Sequence, residues 1–387
     1  MDREELRAWL RLQLTPGVGD MTARRLLAQF GLPQQVFQQS ASTLETVVSA
    51  VQAAAVLQEP VELPALLEST WNWLQTEPDA RRVLPLGDPD YPQSLLNIED
   101  PPLLLYGMGP AELWAAGGLN GVADRCLAVV GSRNPTPQGA ANARQFSVAL
   151  VQAGLTIVSG MALGVDGAAH EGALEGAADN QLATIAVVGT GLDRVYPKQH
   201  RVLAHRIAQR GMLLSEYALG TAPLAANFPK RNRIISGLSR GTLVVEAALQ
   251  SGSLITARLA TEQGKDVFAI PGSIHSTQAR GCHALIKQGA KLVESAQDVL
   301  EELQFLESSQ NAPDFVAAGE QPARAAGRLD SESALLRALG YDTASLDTLQ
   351  ARTGLDTAAL QAELMTLELQ GEVTRLPGGL FQRLVRA

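Results

Sequence analysis

Between residues 126 and 305, short continuous apolar runs alternate with longer stretches of helical period. The runs are LAVVG (127–131), LTIVS (155–159), ATIAVVG (183–189), MLLSE (212–216), TLVVE (242–246), DVFAI (266–270) and AKLVE (290–294). Gly, Ser or Pro bounds them. Continuous rather than alternating apolar runs predict strands buried on both faces, as in a parallel sheet covered by helices. Their alternation with helical stretches predicts an α/β fold, a Rossmann-like, doubly wound, mostly parallel sheet. Outside this region the period changes. Residues 1–80 read as a small helical domain. In it a Pro-Gly-Val-Gly turn precedes apolar positions Leu26, Leu27 and Phe30, the form of a helix-hairpin-helix. Such a turn either offers backbone N–H groups to a phosphate or is a plain packing unit. Residues 82–125 form a Pro- and Gly-rich connector, with LLLY (103–106) as a candidate strand and 117–125 as a candidate exposed loop. The predicted core therefore runs over 82–305. Residues 306–332 lack periodicity and read as a linker. Residues 333–387 return to order, with helices near 333–339, 345–352 and 356–370 and then a hairpin: a C-terminal winged helix.

Composition narrows the function classes. The 387 residues are 46% apolar and 18% charged, enough to bury a large core. Two distant cysteines, Cys126 and Cys282, with no CxxC, leave neither a zinc ribbon nor a thioredoxin-type site, and suit a reducing compartment. Without a signal-peptide pattern or an 18-residue apolar run, a cytoplasmic protein with no membrane association is expected. The net charge of −9 argues against a polyanion partner. Its distribution argues the other way. Residues 196–240 carry Lys198, Arg201, Arg206, Arg210, Lys230, Arg231, Arg233 and Arg240 against the single acid Glu216. A local basic patch attracts a polyanion whatever the total charge. The winged helix is the reverse: its third helix, 356–370, has three acids and no Lys or Arg, so it is not expected to read DNA strongly.

In an open parallel sheet, ligands bind beyond the carboxyl ends of the strands. Five loops there are rich in Gly, Ser and Thr: Gly131-Ser132-Arg133-Asn134-Pro135-Thr136, Ser159-Gly160-Met161, Gly189-Thr190-Gly191, Gln250-Ser251-Gly252-Ser253 and Pro271-Gly272-Ser273. Thr136 is placed to cap a helix and Arg133 adds a full positive charge. One mononucleotide needs one or two such anion nests; a row of them suits a chain of phosphates. The segment Asn227-Phe228-Pro229-Lys230-Arg231-Asn232-Arg233 adds three cations after an aromatic, the combination for phosphate neutralisation and base stacking. The candidate DNA-binding residues are therefore Ser132, Arg133, Thr136, Gly160, Lys198, Phe228, Lys230, Arg231, Asn232, Arg233, Ser251, Gly252 and Ser253.

Enzyme motifs fail. There is no GxxxxGK[ST]. Gly189-Thr190-Gly191 opens a GxGxxG that ends at Arg194, and strand two ends at Ser159 where a dinucleotide fold would place an acid. Gly237-Leu238-Ser239-Arg240-Gly241 fits GxSxG, but in the order helix, turn, strand rather than that of a nucleophile elbow. Asp166 and His170 are four apart at a helix start and read as a polar cap, with no HExxH for a metal. No catalytic residue, metal or cofactor is expected.

The segments VVGSRNPTPQG, VSGMALGVDGAAH, TIAVVGTGLDRVYP, NFPKRNRIISGLSRGTLVVEAALQSGSLITARLA and VFAIPG, in this order, resemble the DNA-processing protein A family of bacterial natural transformation, also called Smf. The resemblance covers about 85–300 closely. It implies a non-catalytic protein that binds single-stranded DNA, forms a homodimer through its Rossmann core, protects incoming DNA and helps load the RecA recombinase. It assigns DNA contacts to Arg133, Phe228, Lys230, Arg231 and Arg233. Two alternatives remain. Gly241-Thr242 followed by Glu246 is similar to the motif of Rossmann-like nucleotide phosphoribohydrolases, although the glutamate falls one residue late and no Pro-Gly-Gly precedes it. The other is a regulatory module acting through the winged helix.

Overall fold

The apolar runs become strands, whose alternate residues point to opposite faces of one sheet. The computed structural model describes residues 1–304, 333–340, 343–376 and 378–384. The chain divides into two compact units, Met1–Pro135 with Asn142–Leu303, and Thr136–Ala141 with Gln304–Ala387.

The first unit opens with helices α1 (Arg3–Leu14), α2 (Asp20–Phe30), α3 (Pro33–Val36), α4 (Ala41–Leu44), α5 (Ala50–Leu57) and α6 (Leu63–Thr76). Two strands, β1 (Arg81–Pro85) and β2 (Leu104–Met108), and a short helix, α7 (Ala111–Ala115), lead into the core. The core then runs β3 (Cys126–Val130), α8 (Pro137–Gln152), β4 (Thr156–Ser159), α9 (Val165–Gly176), β5 (Thr184–Val187), α10 (Arg201–Arg210), β6 (Met212–Ser215), α11 (Asn227–Leu238), β7 (Gly241–Val244), α12 (Ser253–Glu262), β8 (Asp266–Ala269), α13 (Arg280–Lys287), β9 (Lys291–Leu292) and α14 (Ala296–Glu302). The sheet order is β1-β2-β6-β5-β4-β3-β7-β8-β9, parallel from β6 to β9, with β1 and β2 added antiparallel at one side.

Successive strands step outward from β3 to β6, and the chain then returns to the other side of β3 as β7. The β3–β7 junction is the point where winding reverses, and the loops after these strands diverge to leave a crevice. Leu104, Tyr106, Ala186 and Leu213 face a core shared with α9, α10 and the N-terminal helices. Leu105, Ile185, Val187, Met212 and Leu214 face the opposite core, with Ile234, Ile235 and Leu238 of α11 and Ala257 and Ala260 of α12. The N-terminal helices are thus packed on the sheet through a common core. Strand β1 was not expected from the sequence: Arg81-Arg82 opens it and Pro85 closes it, a pattern that reads as loop, and its pairing with β2 makes it a strand. The 117–125 segment, expected as an exposed loop, is packed down. Leu119 is buried, and the Asn120 amide ties it to the backbone of Pro89, Tyr91 and Gln93.

The described part of the second unit contains α15 (Ala334–Leu339), β10 (Ala344–Ser345), α16 (Leu346–Thr353), α17 (Thr357–Leu369) and a hairpin of β11 (Val373–Leu376) and β12 (Leu380–Arg383). Helix α16 stops at Gly354, whose φ of 71° favours a residue without a side chain. Asp356 then caps α17 by accepting from the Ala359 N–H at 2.8 Å. Leu335, Leu339, Leu349, Leu360, Leu364 and Phe381 belong to its core, a winged helix. The expected linker lies outside the described residues.

Candidate nucleic-acid interface

The crevice at the β3–β7 switch point is a pocket of about 450 Å³. Its first wall follows β3. Gly131 has no room for a side chain, since a Cβ there would lie 2.7 Å from Val165 and 2.9 Å from the Glu246 carbonyl. The Ser132 hydroxyl accepts the Asn134 N–H at 3.1 Å and closes a tight turn. This leaves Arg133 exposed, its guanidinium 5.9 Å from the centre of the Phe228 ring. Phe228 sits in the first turn of α11, against Gly189 on one side and the Tyr196 ring on the other, with ring centres 5.4 Å apart. The opposite wall is Ser251-Gly252-Ser253 ahead of α12, where the serine hydroxyls lie 2.7 Å apart and the Asn232 amide donates to the Gly252 carbonyl at 3.3 Å. Helix α12 has no side-chain cap, so its positive end adds to this wall.

Arg231 forms the floor. It is 4% exposed, and its Nη1 donates to the carbonyls of Gly160 (2.7 Å) and Val187. A side chain at position 160 would run into this guanidinium, which explains the glycine. The Nε atom has no hydrogen-bond partner among the described residues. Burial lowers the Arg231 pKa to about 10, with Asp166 opposing the fall, so the charge persists at neutral pH. Burial likewise raises the Asp166 pKa, offset by Arg231 and by the Ala162 N–H it accepts at 3.2 Å. A buried positive charge thus lies beneath an exposed arginine–aromatic cluster. Together they offer phosphate oxygens a cation and bases a ring face.

The structure divides the cations that the sequence placed together. On a helix, positions 230 and 233 share a face while 231 points about 100° away. Arg233 is 8% exposed and grips Glu216 through two hydrogen bonds of 2.8 and 2.7 Å, with Asp20 at 3.4 Å and the Asp100 carbonyl at 2.8 Å. Lys230 pairs with Asp20 at 3.2 Å and lies 3.5 Å from Glu216. Neither residue lines the pocket. Arg233 is therefore taken up by a buried network joining α11 to α2, and Lys230, though exposed, sits beside the carboxylates of that network rather than on the pocket. Lys198 also stands apart, on the rim of a second groove. Thr136 accepts the Gly139 N–H at 3.0 Å and caps α8. The sequence reading missed Tyr196, whose signal was an aromatic in the Gly-rich loop after β5; it named Asn134 only as part of its loop, and missed Gln278, which lines the pocket without any motif.

The Asp166–His170 pair behaves as a structural element. His170 is fully buried and its Nδ1 lies 2.7 Å from the Thr184 hydroxyl. That hydroxyl donates to the Ile157 carbonyl, so it accepts from the imidazole, and Nε2 is left unprotonated and, among the described residues, without a partner. Burial pushes the His170 pKa down to about 3. The unfolded chain binds this proton below about pH 6.5 and the folded chain does not. Stability contributed by the neutral ring is therefore lost on acidification from pH 6.5 towards 3, at about 1.4 kcal/mol per unit. Urea unfolding should show a loss of about 2 kcal/mol at pH 5 from this group, and the His170→Asn variant should lack that part of the pH dependence.

The sequence matches two family models: DNA recombination-mediator protein A over residues 82–304, and the DprA winged helix domain over 319–379. It is 41% identical over 325 residues to Protein Smf of Escherichia coli, spanning 83% of this chain and 82% of that one. It is 48% identical over 218 residues to the DNA processing protein DprA of Streptococcus pneumoniae, spanning 56% and 73%. The fold superposes on the X-ray structure of the S. pneumoniae protein with a TM-score of 0.64 at 36% identity, covering 78% of this chain and 98% of that chain. With the family model spanning the sheet and every loop of the pocket, this chain belongs to the DNA recombination-mediator protein A family.

Proposed function

We propose that the chain binds single-stranded DNA at the β3–β7 switch point and acts, without catalysis, in DNA processing and recombination. The observation that carries this reading is the Arg133–Phe228–Tyr196 cluster standing over the buried Arg231. A duplex hides its base faces inside the stack, whereas a single strand exposes both phosphates and bases to such a cluster. Ser132, Gly160, Asn232, Ser251, Gly252 and Ser253 shape the walls around it. The names of the relatives, a recombination mediator and DNA processing proteins, support the same role.

The test is a salt titration of oligothymidine and duplex binding by the purified chain. The single strand should bind more tightly, with a slope of log K against log salt at or beyond about −1.4, since each neutralised phosphate contributes about −0.7. A flat slope, or tighter duplex binding, would sink the proposal. Dimerisation through the Rossmann core, RecA loading and a cytoplasmic location belong to the same proposal. Light scattering tests the first, and RecA filament growth on coated single strands tests the second. The phosphoribohydrolase reading is favoured instead if free base is released from nucleoside monophosphates and the release disappears in Glu246→Gln.

A further inference from the structure

The winged helix leaves one apolar surface uncovered, on α17. Leu360, Leu364 and Leu367 of this helix face the domain core. Met365 and Leu369 do not: they are 64% and 82% exposed, and among the described residues of the second unit no other large apolar side chain is exposed. Ala358 and Ala362 are exposed as well. The four positions are spaced four, three and four residues apart. At 100° per residue they fall within about 60° of one another and form one stripe roughly 16 Å long.

The stripe carries no charge. Helix α17 holds two charged residues, Glu363 and Glu368. Glu363 points about 130° away from the stripe and accepts the Ser333 hydroxyl at 2.7 Å. Glu368 stands about 90° to one side. Ala359, Gln361 and Thr366 are exposed beside the stripe. A nucleic-acid backbone finds no cation here, and a charged peptide finds no counter-charge. The surface that matches an uncharged apolar stripe is another of the same kind.

We propose that the stripe is a contact between two copies of this chain, whose α17 helices pack antiparallel. A two-fold axis through the middle of the stripe sets Leu369 of one helix opposite Ala358 of the other, and Met365 opposite Ala362. Each large side chain then meets a small one, so the helices approach closely and the layers interdigitate. The same pairing sets Gln361 against Thr366 and Glu368 against Ala359, so no like charges face one another. The four-three-four spacing is that of helices crossing at about 20°. Four side chains from each copy cover less than the roughly 1,200 Å² of a self-standing interface. The contact is therefore weak between free chains and strengthens with concentration, or with proximity where the cores hold two chains together.

The test uses full-length chains carrying introduced thiols, since Cys126 and Cys282 are buried. Ala358→Cys and Leu369→Cys chains are mixed and treated with a short bismaleimide. The mixture should crosslink several-fold more than either variant alone, whose like positions lie about 16 Å apart along the axis. Ala351→Cys, exposed on α16, measures chance collision. Separately, Met365→Glu/Leu369→Glu changes two side chains that are exposed in the single chain, so thermal unfolding should be unaltered. Its self-association, followed by sedimentation at high concentration, should weaken at least about tenfold, because the pair would bury carboxylates without partners. Crosslinking of each thiol variant with itself, with no excess in the mixture, overturns the antiparallel pairing. A mixture that crosslinks no more than Ala351→Cys, or sedimentation unchanged in the glutamate variant, overturns the contact and leaves the stripe to a different protein or to another segment of this chain.

Discussion

Replacing Glu216 by alanine should lower the stability of the core by about 3–5 kcal/mol, because it takes from a buried cation its nearest and most deeply buried counter-charge. The Glu216 side chain is 4% exposed and accepts two hydrogen bonds from Arg233, whose own side chain is 10% exposed. Without Glu216, Arg233 keeps the Asp100 carbonyl, the Lys230 carbonyl at 3.3 Å and longer contacts to the carboxylates of Asp20 and Asp100 at 3.4 and 3.6 Å. The two remaining carboxylates are farther away and more exposed than Glu216, so they replace only part of its charge. Chemical unfolding measures the loss. Two controls fix its origin. Lys230→Ala should cost far less, since that side chain is half exposed and its charge remains hydrated. Replacing Glu216 and Arg233 together by methionine should cost less than Glu216→Ala alone, since neither charge then remains buried unpaired. A loss under about 1 kcal/mol for Glu216→Ala would show that water reaches the network.

Arg133→Ala and Phe228→Ala should both weaken single-strand binding, but in ways that salt separates. Arg133 is exposed and, among the described residues, has no structural partner beyond the Phe228 ring, so its removal leaves the fold intact. It should lower affinity about tenfold and make the salt slope shallower by about 0.7, the loss of one phosphate contact. Phe228→Ala removes a stacking surface worth about 1–3 kcal/mol per base, and releases no counterion. Its affinity should fall by a similar or larger factor with the slope unchanged. Because Phe228 also packs on Gly189, thermal unfolding must be measured alongside. A slope change in Phe228→Ala, or none in Arg133→Ala, would contradict the assignment of stacking to one and charge to the other.

The parallel strands and the loops after them were legible because both are written locally. A run such as Leu127–Val130 has no polar residue to turn towards water, and Gly131 marks where the chain must pass close to Val165 and the Glu246 carbonyl. What was not legible depends on partners distant in sequence. Nothing around Arg233 states that Glu216 and Asp20 wait on one side of its helix, so Lys230, Arg231 and Arg233 read as one cluster when the fold sends them two ways. Strand β1 was missed for the same reason, since Arg81–Pro85 is a strand only beside β2. Tyr196 stood in a loop already singled out for its glycines, and was passed over because a lone aromatic carries no pattern until Phe228 is set against it.

The salt link from Asp20 to Arg233 spans 213 residues of chain. On a ribosome adding about 5–20 residues per second, Arg233 is made roughly 10–40 s after Asp20. Throughout that interval the N-terminal helices lack this counter-charge, while the sheet face that covers their apolar side chains is made strand by strand, from Val83 to Leu213. The apolar docking surface of these helices is thus made before the ionic one, and only the ionic link waits for α11 to emerge.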